Sequence, residues 1–561
     1  MQALGQKIRE LTDRLVRIDS SNSYGQRELG EFLAGRLREV DYVRQYPDSL
    51  QQIQADLPGN PFALLALYRA PPGTRETIVF CGHIDTVGVE EFGPKPEIAF
   101  DPAAARAWLA ERCPSDAELL ADIASGDFMF GRGSLDMKGG VALLVSLFER
   151  LTADGRFPWN LALLLTFDEE GSSTGMRVAV PRLRQMQDEE GLDFGLLINC
   201  DYTSPLTRED ANAYIYTGTI GKLLIGVSVF GTPTHAGAPF EGVNAAALAG
   251  AIVAHLEGSH KLTQHVKGEF TPPPTALLLD GRQLAYSVMT PSQAHAYFNL
   301  FFAHSDFEGY FGEVVNEVRR ACRLHLTALR RRYRRFVARA DVEISERLVK
   351  PEVISYSQLA KRTAPPVGSE KMVVRAGGAP ARREAPPAES SQAADSLERP
   401  ESRMEPRQQA LAGVARAMIM AGWSRPTVVV SVLPPFYPAY AMAVDSRAQE
   451  VFSLVRDFAR DWKGAFMLRQ RQFYPYVSDM SFVRMPPAEK LKPLLKQMPL
   501  LEPSELLPER QQVSIPVVNL GPWGKGAHTA RERVHLGFLT EELPKMHLAL
   551  LSRLVGSEVA I

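Results

Sequence analysis

Short unbroken blocks of apolar residues, each ended by a turn, mark this chain. They are FALLALYR from Phe62, TIVFCGH from Thr77, LALLLTF from Leu161, GLLINC from Gly195 and, far downstream, SIPVVNLG from Ser514. Each is too short for a long helix, and continuous rather than alternating apolar character predicts strands covered on both faces. Stretches with helical spacing lie between them, such as KGGVALLVSLFERL from Lys138, and the N-terminal MQALGQKIRELTDRLVRIDSS is amphipathic with the same period. Buried strands alternating with helices predict an α/β sandwich.

From about Ala213 the pattern changes. AYIYTGTIGKLLIGVSVFG reads as one long, alternating, half-exposed strand, NAAALAGAIVAHLEG as a helix and AHAYFNLFFAH as a further strand. A basic helix follows, with Glu313 and Glu317 before LRRRYRRF, whose arginines read as a solvated face. These elements predict a second, smaller α+β domain. Residues 376–408 are rich in Pro, Ala, Glu, Arg and Ser, with Leu397 and Met404 the only large aliphatic side chains. Such a segment buries too little area to offset its ordering entropy, so it reads as a flexible insertion. RQQALAGVARAMIMAGW then resumes as helix and PTVVVSVLPPFYP as a strand ended by prolines. The predicted organisation is a large α/β part over 1–211, the smaller domain over 212–350, a linker over 351–408 and the second α/β part over 409–561.

Composition narrows the function classes. The 561 residues are 45% hydrophobic with a formal charge of −2, enough for a large core and two or more domains. A near-neutral balance gives no general pull toward nucleic acid or an anionic membrane, so neither is an expected partner. No window reaches transmembrane length without charges, and the N-terminus lacks the apolar core and cleavage site of a signal peptide. Cys81, Cys113, Cys200 and Cys322 are widely scattered, with no CxxC and no disulfide framework, which fits a reducing cytoplasm.

The candidate chemistry sits at strand ends. GHIDTVG delivers His83 and Asp85, GRGSLDMKGG places Asp136 before a helix, and TFDEEG gives Asp168, Glu169 and Glu170. NCDYTSP adds Asp201, and the distant GPWGKGAHTARE offers His528. Ligands bind at that edge of an open α/β sheet. Singly, each residue has a commoner structural role: a strand-end His is usually hydrogen-bonded, and an Asp before a helix is usually its N-cap. Together, two histidines and several carboxylates at one edge repel unless a cation neutralises them. Mixed nitrogen and oxygen ligands without thiolate suit Zn²⁺, with Co²⁺ or Mn²⁺ as substitutes. Asp168 carries no assigned chemistry beyond the turn.

GHIDTVG, GRGSLDMKGG, DEEG, GTPTHAGAPFEGVNAA and AHTARE, in this order, resemble the di-zinc aminoacylase, carboxypeptidase and dipeptidase family, which includes succinyl-diaminopimelate desuccinylase. The long form, with its insertion and PPFYP segment, is similar to the arginine-utilisation (RocB-like) branch. The resemblance implies a mixed central sheet sandwiched by helices, with the smaller domain inserted as a lid and dimerisation domain. It makes Asp136 the carboxylate bridging two zinc ions, His83 and Asp201 ligands of one, and Glu170 and His528 ligands of the other. Asp85 then holds the His83 imidazole in its ligating tautomer, and Glu169 is the general base. His235, in the lid, stabilises the oxyanion, often from a partner subunit, which implies a homodimer and a hinge that closes over substrate. The implied reaction is hydrolysis of an amide in a small N-acyl amino acid or short peptide, with a setting in arginine or amino-acid catabolism.

The lid departs from the family in one respect. Relatives carry an Asn and then an arginine that grips the substrate carboxylate, whereas here Asn299 and Phe301 stand where an Asp and that Arg would fall. Arg282 and Lys525 are the candidates to replace it. The competing class is a non-catalytic binding or regulatory protein that keeps its metals as structure; Glu169 beside the ligands argues against it. A serine hydrolase lacks its G-x-S-x-G, and GRGSLDMKGG is no P-loop because its Lys precedes Gly.

Overall fold

Eight strands form the large sheet, in the order Leu50–Gln54, Phe62–Tyr68, Asn160–Thr166, Glu76–His83, Asp193–Asn199, Val517–Asn519, Ala213–Tyr216 and Leu468–Arg471. The computed structural model describes residues 1–71, 73–281, 288–303, 306–340, 347–363, 405–439, 446–500 and 509–559. The four central strands, from Asn160–Thr166 to Val517–Asn519, run parallel. Antiparallel neighbours at each side make the sheet mixed. Phe62–Tyr68 and Asn160–Thr166 are buried at every position. Helices on both faces remove the solvated side that would otherwise impose alternation. Helix Lys138–Thr152 packs on the central strands and on helix Gln2–Val16, and Ser23–Arg38 and Thr174–Glu189 pack on Phe62–Tyr68. A side chain at Gly140 would meet the Cys200 carbonyl at 2.2 Å. Its absence lets the start of helix Lys138–Thr152 press against the turn at Asp201.

A second sheet of five strands runs in the order Thr275–Asp280, Gln293–Phe302, Gly221–Phe230, Thr427–Tyr437 and Glu352–Ser355. This corrects the expected boundaries. Ala213–Tyr216 pairs in the large sheet, so the single long strand expected from Ala213 is two strands belonging to different sheets. Thr427–Tyr437 lies beside Gly221–Phe230, so the chain re-enters the large sheet at Leu468–Arg471 rather than near 409. Glu352–Ser355, placed in the linker by the sequence reading, is the edge strand next to it. A run such as TVVVSV fits any doubly covered strand, and its partner is set by contacts distant in sequence.

Gly221–Phe230 is also buried rather than half-exposed. Leu223, Ile225, Val227 and Val229 join the core that includes helix Ala245–Leu256. Leu224 and Phe230 pack instead with residues of helix Pro406–Met420. The two helices therefore cover opposite faces. Helix Phe307–Ala340 packs against Ala245–Leu256, and its arginine-rich second half is largely exposed. The expected insertion lies outside the described residues up to 404, and helix begins at Pro406. Among the described residues, no helix is long and apolar enough to cross a membrane.

Candidate active site

Because Asn160–Thr166, Glu76–His83, Asp193–Asn199 and Val517–Asn519 are parallel neighbours, their carboxyl ends lie side by side. His83 ends its strand, Glu169 and Glu170 follow Thr166, Asp201 follows Asn199, and His528 sits in the loop after Asn519. Asp136 approaches from the turn before helix Lys138–Thr152 and stands between the histidines. Its Oδ1 is 3.1 Å from His83 Nε2 and its Oδ2 2.8 Å from His528 Nε2. His528 Nε2 is also 2.8 Å from Glu170 Oε1, and Glu169 Oε2 is 4.0 Å from His83 Nε2.

Three overlapping groups, His83–Asp136–Asp201, Asp136–Glu170–His528 and His83–Glu169–Glu170, each bring ligand-capable atoms within 4.8 Å of one another. Two buried oxygens test whether cations fit. Glu169 Oε1 has no hydrogen-bond partner, and Glu170 Oε1, despite its closeness to His528, lies outside hydrogen-bonding direction. Converging ligand atoms that leave buried carboxylate oxygens without a hydrogen bond suit divalent cations, with His83, Asp136 and Glu170 each common to two of the groups.

The electrostatics say the same. Burial pushes the Glu169 carboxyl well above its ordinary range, the His83 ring opposes this, and the Glu170 and Asp201 charges add to it. Burial and then Asp136 raise Asp201, and burial and Asp136 likewise raise Glu170. For Asp136 burial acts upward, but hydrogen bonds with His528 and His83 outweigh it and leave the group below its usual value. Burial works against a charged His528, yet Asp136 and Glu170 push it up to about 12. So many carboxylates in one buried place stay ionised only beside concentrated positive charge.

Residues around the cluster hold its turns in place, and Tyr437, Asn519, Arg132, Glu532 and Asp479 among them were not singled out from the sequence. Asp85 lies at His83 Nδ1, and its backbone oxygen comes closer to the ring than its carboxylate does. Its backbone oxygen lies 3.1 Å from His83 Nδ1, and the nearest carboxylate oxygen is at 3.6 Å. The carboxylate instead accepts the backbone N–H groups of Glu169 and Glu170, both at 3.1 Å. A residue two positions past the strand end is turned toward the neighbouring loop, which offers two free donors. Tyr437, from the smaller sheet, donates its hydroxyl to the Glu169 carbonyl at 3.1 Å. Asn519 accepts the Asp201 N–H at 2.9 Å and donates to the Asp201 carbonyl at 2.8 Å. Glu532 accepts the N–H groups of Leu135 and Asp136 while paired with fully buried Arg132 at 2.7 Å. This ties the Asp136 turn to the loop of His528. Asp168, at φ +59, accepts from Thr174 and closes the acidic turn. Asp479 is a further buried acid, hydrogen-bonded by Thr166. Burial, opposed by Thr166 and Ser173, sets it at about 6.

The cluster opens into a cavity of about 540 Å³ between the two sheets. Asp136, Glu169, Glu170, Asp201 and His528 line one side; Lys222, Asn299 and Phe301 of the smaller sheet line another, with Tyr202, Tyr437, Tyr474 and Tyr476 between. Tyr202 and Tyr476 stack at 5.1 Å. His235 is not among the lining residues. It is exposed on a turn of the smaller domain, where its Nδ1 accepts the Gly237 N–H at 3.0 Å. Lys525 is held away from the cavity by Glu118 and Asp122, at 2.8 and 3.0 Å, and Arg282 lies outside the described residues.

Residues 79–490 match the profile of Peptidase family M20/M25/M40. The chain belongs to that family. It is 29% identical over 546 residues to the protein YqjN of Bacillus subtilis (strain 168), covering 96% of this chain and 94% of that one. It is 25% identical over 551 residues to RocB of the same organism, covering 96% and 93%. Among solved structures, the dipeptidase Dug1p of Saccharomyces cerevisiae aligns over 99% of both chains with a TM-score of 0.52 and 12% identity, a likeness of fold. As an M20/M25/M40 peptidase, the chain is a metal-dependent hydrolase of amide bonds.

Proposed function

We propose that this M20/M25/M40 peptidase cleaves the amide bond of a small N-acyl amino acid or short peptide, in amino-acid or arginine catabolism, with two divalent cations, Zn²⁺ by preference. The supporting observation is Glu169: a buried carboxyl with one unpartnered oxygen, itself within one of the three overlapping groups yet additional to the five residues that would hold the cations. A metal centre that served only as structure would have no use for it. His83 and Asp201 would hold one cation, Glu170 and His528 the other, and Asp136 both. Bound there, the cations supply Lewis-acid chemistry, polarising the scissile carbonyl and acidifying water. Glu169 then accepts the proton of the attacking water and returns it to the leaving nitrogen. Asp85 and Tyr437 hold the backbone from which Glu169 and Glu170 project.

His235 completes the reading as the oxyanion's partner. Its exposure outside the lining of its own cavity favours supply by a second copy across a dimer of smaller domains. The test is metal analysis coupled to assays of N-acyl amino acids and dipeptides, with and without chelator. Two metal equivalents and chelator-sensitive release of an amine are expected. Stoichiometric metal without turnover of any amide would overturn the reading. For His235, inactive His235→Ala mixed with inactive Glu169→Gln should regain activity through mixed dimers. No recovery in verified mixed dimers would place His235 elsewhere in the mechanism.

A further inference from the structure

Lys222 is the second residue of Gly221–Phe230, directly across from Phe301 on one side and Tyr437 on the other. Paired strand residues share a face, so all three point the same way. Helix Pro406–Met420 covers this face further along, at Leu224 and Phe230, whereas Lys222 and Phe301 line the cavity. Asn299 is diagonal to Lys222 on the same face, a separation of about 7–8 Å between such positions. Lys222 is the sole lysine or arginine among the described lining residues.

Its ammonium forms no ion pair or hydrogen bond with any described residue, although Glu169 and Glu170 face it across the cavity. Its one described contact is the Tyr437 ring, 5.6 Å away. Beside it, Asn299 Oδ1 is buried without a partner. Leaving a half-buried charge and a buried acceptor unpaired is costly, and the two together describe what would relieve them. An anion with an amide N–H a few bonds away is their complement, which is the arrangement of a carboxylate next to an acylated nitrogen. Of the acids opposite, Glu170 is a proposed cation ligand and Glu169 the proposed base, and neither forms an ion pair with the ammonium, which leaves it open to an anion in the cavity.

We propose that Lys222 is the anion-binding residue of this cavity, holding the free carboxylate of the substrate while Asn299 accepts from a substrate N–H. The inference rests on the amide-hydrolase reading above and deepens it: the substrate is an acylated amino acid or peptide with an unblocked carboxyl end. A point-charge ammonium takes the place of the guanidinium fork that usually grips a carboxylate. The competing role is mechanical, in which Lys222 props Tyr437 and through it Glu169.

The experiment compares metal-loaded full-length chain, Lys222→Met and Lys222→Arg on N-acetyl-L-amino acids of every side-chain class and on the matching carboxamides. Kinetics are measured first, and calorimetric binding is measured in a Glu169→Gln background. Metal content and circular dichroism verify that each variant is folded. The expected result is a wild-type preference for the carboxylate that falls roughly 10- to 100-fold in Lys222→Met, through KM, and survives within a few-fold in Lys222→Arg. Carboxamide turnover should change little. Equal losses on both substrate series, a preference kept by Lys222→Met, or no wild-type preference would overturn the proposal. Binding selectivity that vanishes in Lys222→Met without hydrolysis of any compound would sink the hydrolase reading while sustaining Lys222's role. Neither binding nor hydrolysis would overturn both.

Discussion

Glu169 and His547 show how burial acts on single groups with opposite consequences. Glu169→Gln keeps the side chain's size and should keep the metal content while removing the proposed proton acceptor. A fall in kcat of about 10²–10⁴-fold is expected, and a fully active variant that still binds metal would remove Glu169 from the chemistry. His547 lies on helix Leu543–Val555, fully buried, with Nε2 donating to the Leu520 carbonyl at 2.8 Å. Burial, against a smaller opposing effect of that hydrogen bond, lowers its pKa from 6.5 to about 4. The folded chain therefore binds this proton less readily than the unfolded one. Its stabilising effect is complete above pH 6.5 and is lost as the pH falls toward about 4, a swing of about 3 kcal/mol. Denaturant midpoints measured across that range should fall less steeply in His547→Gln than in the parent. Parallel curves would show that His547 does not carry the acid sensitivity.

At the scale of elements, the site depends on four loops, each pinned by residues from distant segments. Asp85 and Tyr437 pin the acidic turn from two sheets, and Asn519 pins the Asp201 turn. Glu532 with Arg132 joins the Asp136 turn to the His528 loop. Arg132→Ala would leave the Glu532 carboxylate buried with its charge uncompensated, a loss of about 3–5 kcal/mol. Metal occupancy should fall with it. An unchanged denaturation midpoint would mean that the pair contributes nothing net. Tyr437→Phe keeps the ring over which Lys222 sits and removes only the hydroxyl. It should cost about 1 kcal/mol and roughly tenfold in kcat at unchanged metal content. The strand-end residues proposed as ligands were legible because an acid or imidazole closing an apolar run is a conspicuous pattern. Tyr437, Asn519, Arg132 and Glu532 were not, since a Tyr in a strand or an Arg in a glycine turn is ordinary until its partner hundreds of residues away is known.

For the whole molecule, the large sheet builds one wall of the cavity and the smaller sheet the other. The buried acids repel one another in the apo chain, so cations bound only by the folded state add stability by mass action, about 4 kcal/mol at a thousandfold excess over Kd. Chelation should lower Tm and readdition of Zn²⁺ restore it. A melting temperature indifferent to chelator would show that the cluster does not bind metal in solution.

Local pattern determined the strands, their double burial and the polar residues at their ends, because periodicity and abrupt changes of polarity are properties of neighbouring positions. It also carried the ordered motifs by which the family was recognisable. Tertiary structure alone decided that Thr427–Tyr437 joins the smaller sheet, that the Asp85 carboxylate serves the acidic turn, and that Lys222 faces the cavity. Each depends on pairing between segments far apart in the chain, and the energy of such a pairing exists only once the surrounding core has closed around it.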